Sequence, residues 1–472
     1  MSVERVPGPS GRVSRVPIGR THAAIAVCIG AAAALALPAP EGWAEPQFRA
    51  ALLTLVTITA WATGALPIGV TALLFFLLAM LLGVQPPEVV FSGFAAPAFW
   101  LVFGGIVIGV AVRHTGLGER IARASAAAIG GSYLAVLAGV ALAATLLAFL
   151  MPSSMGRVLT MTPIVLAMAE RYGFGPGRPG RAGMVMVATC VAFLPSGAIL
   201  TALVPNLVLA GAADNLYGVQ FGYAEYLLAH FPVMGLLRTV AIVLVARLLF
   251  ADSPEARPAE PDGPPMTRRE IRLAALLAAA LALWMTDPWH GVAPAWTALA
   301  AAVLLLVPGF DFTPRNALSE KIDYASALYV AAVLGLGAVI AETGLAAKGG
   351  AWLTGVLPLS PGADGPNAYV LTVCSAVLGL LVTNPGVPVV LGPLAGELAA
   401  LSGLPVDTVL MTQVAGFSNV ILPYQASPVL VGIALGGVSL RDGTRMLLWM
   451  TAITFVVLLP LELVWWQWIG LL

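Results

Sequence analysis

Long apolar runs make up most of the chain, and short polar stretches rich in Arg, Pro and Gly separate them. A run of roughly 20 apolar residues crosses a bilayer as one helix. On that pattern, spans are expected at 21–38, 48–66, 68–84, 96–112, 182–206, 226–249, 272–287, 293–309, 326–342, 404–424 and 446–470. Two further apolar stretches, 132–170 and 367–400, each carry a polar interruption. Pro152-Ser153-Ser154-Met155-Gly156-Arg157 breaks the first, and Thr383-Asn384-Pro385-Gly386 breaks the second.

Composition turns this pattern into a fold class. The 472 residues are 59% hydrophobic and 10% charged, with mean hydropathy +0.94. A soluble domain is about 25% charged. So few charges cannot cover a water-facing surface, and the outer surface must face lipid. The formal net charge is zero, which gives no reason to expect a nucleic-acid partner. Cys28, Cys190 and Cys374 lie far apart in apolar runs, with neither metal spacing nor disulfide logic. The 50 Gly and 36 Pro suit membrane helices that pack closely or break. The apolar run from Ala23 to Leu37 follows Arg5, Arg12, Arg15 and Arg20, as in a signal peptide. Because the rest of the chain is itself membrane-embedded, this run is read as an uncleaved first span. All basic residues but Lys321 and Lys348 are Arg, which suggests a GC-rich bacterial genome and hence the bacterial inner (plasma) membrane.

Charge then sets the direction of each segment, because cytoplasmic loops hold the excess of Lys and Arg. Arg113, Arg120 and Arg123 precede 132–170, and Arg171, Arg178 and Arg181 follow it. Both flanks want the cytoplasm, which a re-entrant hairpin with its tip at Ser153–Arg157 satisfies. The flanks of 367–400 carry one basic residue, Lys348, so the second hairpin enters from outside. The result is an all-α membrane protein of about 11 spans plus two hairpins, with the N-terminus in and the C-terminus out. Of 23 basic residues, 19 fall inside, two outside (Arg49, Lys348) and two within the membrane (Arg157, Arg238). The Pro-rich, charged linker 251–271 divides the chain. Residues 1–47 form the N-terminus and first span, 48–250 a first repeat and 272–472 a second. Thr71-Ala72-Leu73 answers Thr297-Ala298-Leu299, Thr115-Gly116-Leu117 answers Thr343-Gly344-Leu345, and Pro163 answers Pro393. Halves entered from opposite sides make an inverted-topology repeat, as in secondary transporters.

The interruptions are where chemistry is expected, because non-helical backbone at membrane depth survives only against protein or a water-filled cavity. At the first tip Ser153 and Ser154 offer hydroxyls, and the helix that follows points its amides at the tip, which favours an anion. Arg157 is costly in an apolar stretch, and its fork matches carboxylate or sulfate. A structural ion pair is the competing reading for it, and Arg238 is read as structural. At the second tip Thr383 and Asn384 offer a hydroxyl and an amide; Asn384 can equally cap the next helix. Two spans are broken as well, one at Leu194-Pro195-Ser196-Gly197 and Val204-Pro205-Asn206, the other at Leu422-Pro423-Tyr424-Gln425-Ala426-Ser427-Pro428. Ser196, Gly197, Pro205, Asn206, Tyr424 and Gln425 are the candidate ion-binding or helix-break positions. Unwound carbonyls can hold a cation there; packing kinks are the alternative. His22, His114, His230 and His290 are scattered, and no enzyme or metal motif is present. Trp465-Trp466-Gln467-Trp468 is an interfacial anchor.

These tips and breaks resemble those of the divalent anion:sodium symporter (DASS) family, the sodium/dicarboxylate and sulfate carriers, over about 48–470. Phe103-Gly104-Gly105 through Thr115-Gly116-Leu117 is similar to the family's segment before its first hairpin. Family members carry Ser-Asn-Thr at both tips; here stand Ser153-Ser154-Met155 and Thr383-Asn384-Pro385. Val204-Pro205-Asn206 and Ala426-Ser427-Pro428 resemble the family's breaks. The resemblance implies secondary active transport of small anions (di- or tricarboxylates or sulfate-like oxyanions) by alternating access in a homodimer. Ser153, Ser154, Arg157, Thr383, Asn384, Ala426 and Ser427 then contact the substrate. Family members bind sodium (Na+) at the tips and breaks. The partial motifs and the Arg at 157, where the family has a small residue, do not carry that sodium over. The Arg itself can supply the missing positive charge. The competing function, a cation/proton antiporter or metalloid-efflux carrier, needs an unpaired buried carboxylate; Glu342 and Glu397 lie toward span ends.

Overall fold

The computed structural model describes residues 18–127, 132–255, 265–353 and 356–472. Arg5, Arg12, Arg15 and the middle of the linker, with Arg257, lie outside the described residues. Every regular element among the described residues is helical. Among the described residues, seven helices are long and apolar enough to cross a bilayer, and the pair Asn384–Leu391 and Ala395–Ser402, bent by 70°, can be counted as an eighth. Ala24–Ala34, Ile68–Leu81 and Pro294–Leu306 are apolar but shorter.

Helix ends follow local chemistry. Ser132 accepts from the Ala135 amide and caps Tyr133–Leu150, and Ser439 does the same for Leu440–Ile453 through Asp442. Thr267 and Glu270 form a reciprocal capping box at the start of Arg268–Met285. Gly64, Gly116 and Gly403 close helices in the left-handed conformation. Both expected interruptions are tips between helices. Tyr133–Leu150 and Ser154–Arg171 form the first hairpin, and Asp364–Val382 with the bent pair after Thr383 forms the second.

Two expected spans differ from the observed elements. The run expected at 182–206 is a half-helix Pro179–Val191, an unwound stretch, and a second half-helix Val204–Tyr217. Hydropathy ends it too early because the second half-helix carries Asp214 and Asn215. The run expected at 404–424 is likewise Val406–Phe417, a break, and Ser427–Leu435. The last span of each half is also longer than expected. Tyr223–Leu249 and Leu440–Ile469 each widen into a π-turn, at Phe231–Leu237 and Thr454–Leu458. Pro232 lies in the first and Pro460 just after the second, where each ring removes a backbone donor.

The same order of elements therefore occurs twice: hairpin, broken helix, π-containing helix. The two successions are interleaved in space. Ile68–Leu81 packs on Tyr324–Glu342, and Pro97–Thr115 packs on Pro294–Leu306. The latter contact is close: a Cβ on Gly104 would stand 2.7 Å from the Ala298 backbone. The second limb of the first hairpin packs on Ser427–Leu435, and Val387–Leu391 of the second hairpin packs on Val204–Tyr217. Each hairpin thus rests on the broken helix of the other half.

Candidate functional site

At the first tip, Ser153 caps the second limb by accepting from the Gly156 amide at 3.1 Å. Ser153 and Ser154 are half-buried. Arg157 stands one turn later and is fully buried. Its Nη1 donates to the Met151 carbonyl of its own tip, and its Nη2 donates to the carbonyls of Ala192 at 2.8 Å and Ala202 at 3.1 Å. No carboxylate pairs with it among the described residues. The guanidinium therefore lies against the first break and is ringed by backbone oxygens, outside any open cavity in this conformation. Three convergent carbonyls are the ligand set that a small cation would need.

The first break is held from behind. Asn206 is buried in the first turn of its half-helix and donates Nδ2 to the carbonyls of Gly197 at 3.1 Å and Ile199 at 2.8 Å. Ser196 donates to the Ala192 carbonyl at 3.2 Å, and Pro205 is buried beside Asn206. Asn206 Oδ1 has no hydrogen-bond partner among the described residues. The second break is tied to the second tip. Asn384 donates to the Asn419 carbonyl at 3.2 Å and accepts from Gln425 Nε2 at 3.4 Å. Gln425 Oε1 accepts from the Ile421 and Leu422 amides, each at 2.7 Å. Tyr424 donates to the Leu380 carbonyl at 2.8 Å. Ala426 is buried, while Ser427 is exposed at the start of the following half-helix. Thr383 has φ 65° and ψ 163°, a region glycine takes easily and a β-branched residue avoids. Such strain costs roughly 1–3 kcal/mol and gathers at binding sites and switches.

Arg238, read from the sequence as structural, joins the two breaks. It is fully buried and donates to the Leu194 carbonyl at 3.2 Å, to Ser418 Oγ at 3.0 Å and to Asn419 Oδ1 at 3.0 Å. The breaks touch as well: a Cβ on Gly197 would stand 2.4 Å from the Ser418 Cβ. Both breaks and the second tip thus form one hydrogen-bonded polar centre, and Arg157 adds the first tip to it.

Two features escaped the sequence reading. The first is Arg113, assigned there to topology alone. A cavity of about 540 Å³ opens between Pro97–Thr115, Leu117–Ala127 and the second limb of the first hairpin. Arg113, Arg123 and Arg171 line it, with Glu119 as its one carboxylate. Arg123 pairs with Glu119 at 3.8 Å. Arg113 has no hydrogen-bond or ion-pair partner among the described residues, and its Nη1 would stand 3.1 Å from a Cβ on Gly156, at the first tip. The signal for it was present, since 113 is an Arg in the last turn of the span that precedes the hairpin. The second is Glu462. Glu342 is exposed and Glu397 half-buried, while Glu462 is wholly buried against His230.

The tips, breaks and interleaved packing can be compared with known proteins. The profile of the citrate transporter family (CitMHS) matches residues 58–416. Dicarboxylate transporter 1 from spinach chloroplasts (Spinacia oleracea) is 27% identical over 325 residues, covering 66% of this chain and 56% of that protein. The sodium-dependent dicarboxylate transporter SdcS of Staphylococcus saprophyticus is 23% identical over 453 residues, covering 89% of this chain and 86% of that one. Among solved structures, the Alcanivorax borkumensis YdaH transporter shares the fold, with TM-score 0.57 and 17% identity over 90% of this chain and 99% of that chain. Arg-lined cavity, paired tips and paired broken helices thus sit in a multi-pass membrane protein, and the chain belongs to the CitMHS citrate transporter family.

Proposed function

We infer that this protein is a secondary active transporter of small di- or tricarboxylate anions, working by alternating access between two inverted repeats, 48–250 and 272–472. The carrying observation is Arg113, an unpaired cation that lines a cavity of about 540 Å³ and turns its guanidinium toward Gly156 at the first hairpin tip. An unpaired guanidinium beside a capped helix N-terminus suits a carboxylate, which it can take by a two-pronged hydrogen bond. The names of the dicarboxylate-transporting relatives support the same substrate class. In this reading the substrate enters past Arg113 and reaches Ser153, Ser154, Thr383, Asn384, Ala426 and Ser427. The cavity opens to the cytoplasm of a bacterium, the N-terminus is inside, the C-terminus is outside, and eleven crossings result once Glu45–Thr63, Arg268–Met285, the shorter apolar helices and both broken helices are counted and the hairpin limbs are not. The protein works as a homodimer.

Arg157 takes the place of a coupling cation at the first tip. Its guanidinium already meets carbonyls of the tip and of the first break, so a sodium ion has neither room nor need there. Transport is therefore independent of sodium at this position.

The test is uptake of radiolabelled succinate, citrate and sulfate into proteoliposomes. Succinate or citrate is expected to enter, and sulfate tests the oxyanion arm. A hydrogen bond to a charged group contributes roughly 1.5–3 kcal/mol, so Arg113→Gln is expected to raise the half-saturating concentration about tenfold or more. Failure of all three anions to enter, or an unchanged Arg113→Gln variant, would overturn this reading.

A further inference from the structure

Deep in the protein, two titratable side chains from the final helices of the two halves meet. His230 lies in Tyr223–Leu249 and Glu462 in Leu440–Ile469, 232 residues apart in sequence. Both are fully buried, and His230 Nδ1 stands 2.8 Å from Glu462 Oε1. Each sits seven residues from the end of its helix, Tyr223 or Ile469, or about 10 Å at 1.5 Å per residue. The second carboxylate oxygen, Oε2, has no hydrogen-bond partner among the described residues. On the far side of the imidazole, Nε2 lies 3.2 Å from Met411 Sδ of the second broken helix. Tyr226 and Trp466 rings complete the walls, at 4.8 and 5.5 Å between centroids. Arg238 is the charged group that bears on Glu462, and Cys190 of the first broken helix in turn faces Arg238.

A buried carboxylate is costly unless neutralised or paired. The pair with Arg238 offers two states. With no proton shared between His230 and Glu462, the triad carries one negative and one positive charge and is neutral. With one proton shared, it is net positive whichever partner holds the proton. Arg238 is also hydrogen-bonded to Ser418 and Asn419, and Asn419 accepts from Asn384 of the second tip. Tyr226 donates to the Gly197 carbonyl of the first break at 2.9 Å. A change of one charge at the pair is therefore felt at the polar centre where the anion binds, in a low-dielectric interior that screens it weakly.

We propose that the His230–Glu462 pair is a proton-binding site that couples anion transport to proton movement. The inference rests on the transporter reading above and supplies its coupling ion. Proton binding makes the centre more positive and favours the anion, and by reciprocity a bound anion favours the proton. The site does not suit sodium. One free carboxylate oxygen beside an imidazole, a thioether and an indole lacks the oxygen ligands a hard cation needs.

The experiment uses the full chain in sodium-free proteoliposomes with the membrane potential clamped and a pH-sensitive dye trapped inside. Succinate entry is expected to acidify the interior. Lowering the outside pH by one unit is expected to raise initial uptake by up to about tenfold, the limit set by one proton per turnover. In Glu462→Gln the acidification disappears and the same pH step changes uptake by less than about twofold. His230→Gln, the second variant, is expected to do the same, and the unmutated protein alone decides if neither variant folds. Net succinate uptake without any interior pH change in the unmutated protein overturns the proton site and leaves the transporter reading standing. Absence of succinate, citrate and sulfate counterflow overturns both. A Glu462→Gln protein that still accumulates succinate in response to a pH gradient overturns the proton site alone.

Discussion

Arg157 illustrates how one side chain can change what a tip does. Its charge is solvated by three backbone carbonyls, and its Nε is left without a partner among the described residues. Arg157→Gln shortens the side chain and removes the charge, so these carbonyls lose their donor. Each unsatisfied buried group costs roughly 1–3 kcal/mol. The variant is expected to melt at lower temperature and to lose uptake or become cation-dependent, which uptake with and without sodium reads directly. A strict sodium requirement in the unmutated protein would sink the idea that Arg157 replaces the ion. The sequence made Arg157 conspicuous because an Arg in an apolar run is costly. Its partners were not legible, since Ala192 and Ala202 are 35 and 45 residues away and contribute only carbonyls. Asn384 and Gln425 were legible as polar residues at interruptions, but their contact across 41 residues was not.

The breaks are the elements that define the polar centre, and they depend on close contact between one another. Gly197 faces Ser418 without room for a Cβ. Gly197→Val is expected to push the breaks apart, strain the Arg238 hydrogen bonds and cost about 1–3 kcal/mol or more. A lowered thermal midpoint with reduced uptake is the expected result; a variant indistinguishable from the unmutated protein would show that the breaks are not held by this contact. The sequence located both breaks from proline, glycine and polar residues. It placed the first at 194–206 and the second at 422–428, whereas the helices stop at Val191 and Phe417. The earlier ends follow from tertiary hydrogen bonds. Arg238 holds the Leu194 carbonyl and the Ser418 and Asn419 side chains away from helical geometry.

The whole molecule is tied together across its halves by interleaved helices and by a strap at the charged edge. Arg120 of Leu117–Ala127 pairs with Glu270, at the start of Arg268–Met285, at 2.8 Å. The hydrogen bond from Arg120, then the Thr267 amide, holds the Glu270 carboxyl down from 4.5 to about 2, against the opposing effect of burial. A carboxylate held below its usual range stabilises the fold above that range, and the stability is lost as pH falls toward about 2. Detergent-solubilised protein is therefore expected to lose melting temperature on acidification between these limits. Glu270→Gln should lower the melting temperature at neutral pH and flatten the acid dependence; an acid dependence that persists unchanged in the variant would place its origin elsewhere.

Hydropathy, by itself, determined that this chain is a multi-pass helical membrane protein, because burial in lipid is a property of each segment taken alone. Interruptions in the apolar runs determined where the backbone must break, since an unpaired peptide group at that depth needs a protein or water partner. The distribution of arginine gave an orientation to propose. Only the tertiary structure decided which side chains meet. Arg113 turns toward the Gly156 tip, Arg238 bridges two breaks, and His230 finds Glu462 across 232 residues. These pairings join distant segments through packing of whole helices, and a local pattern of polar and apolar residues carries no record of them.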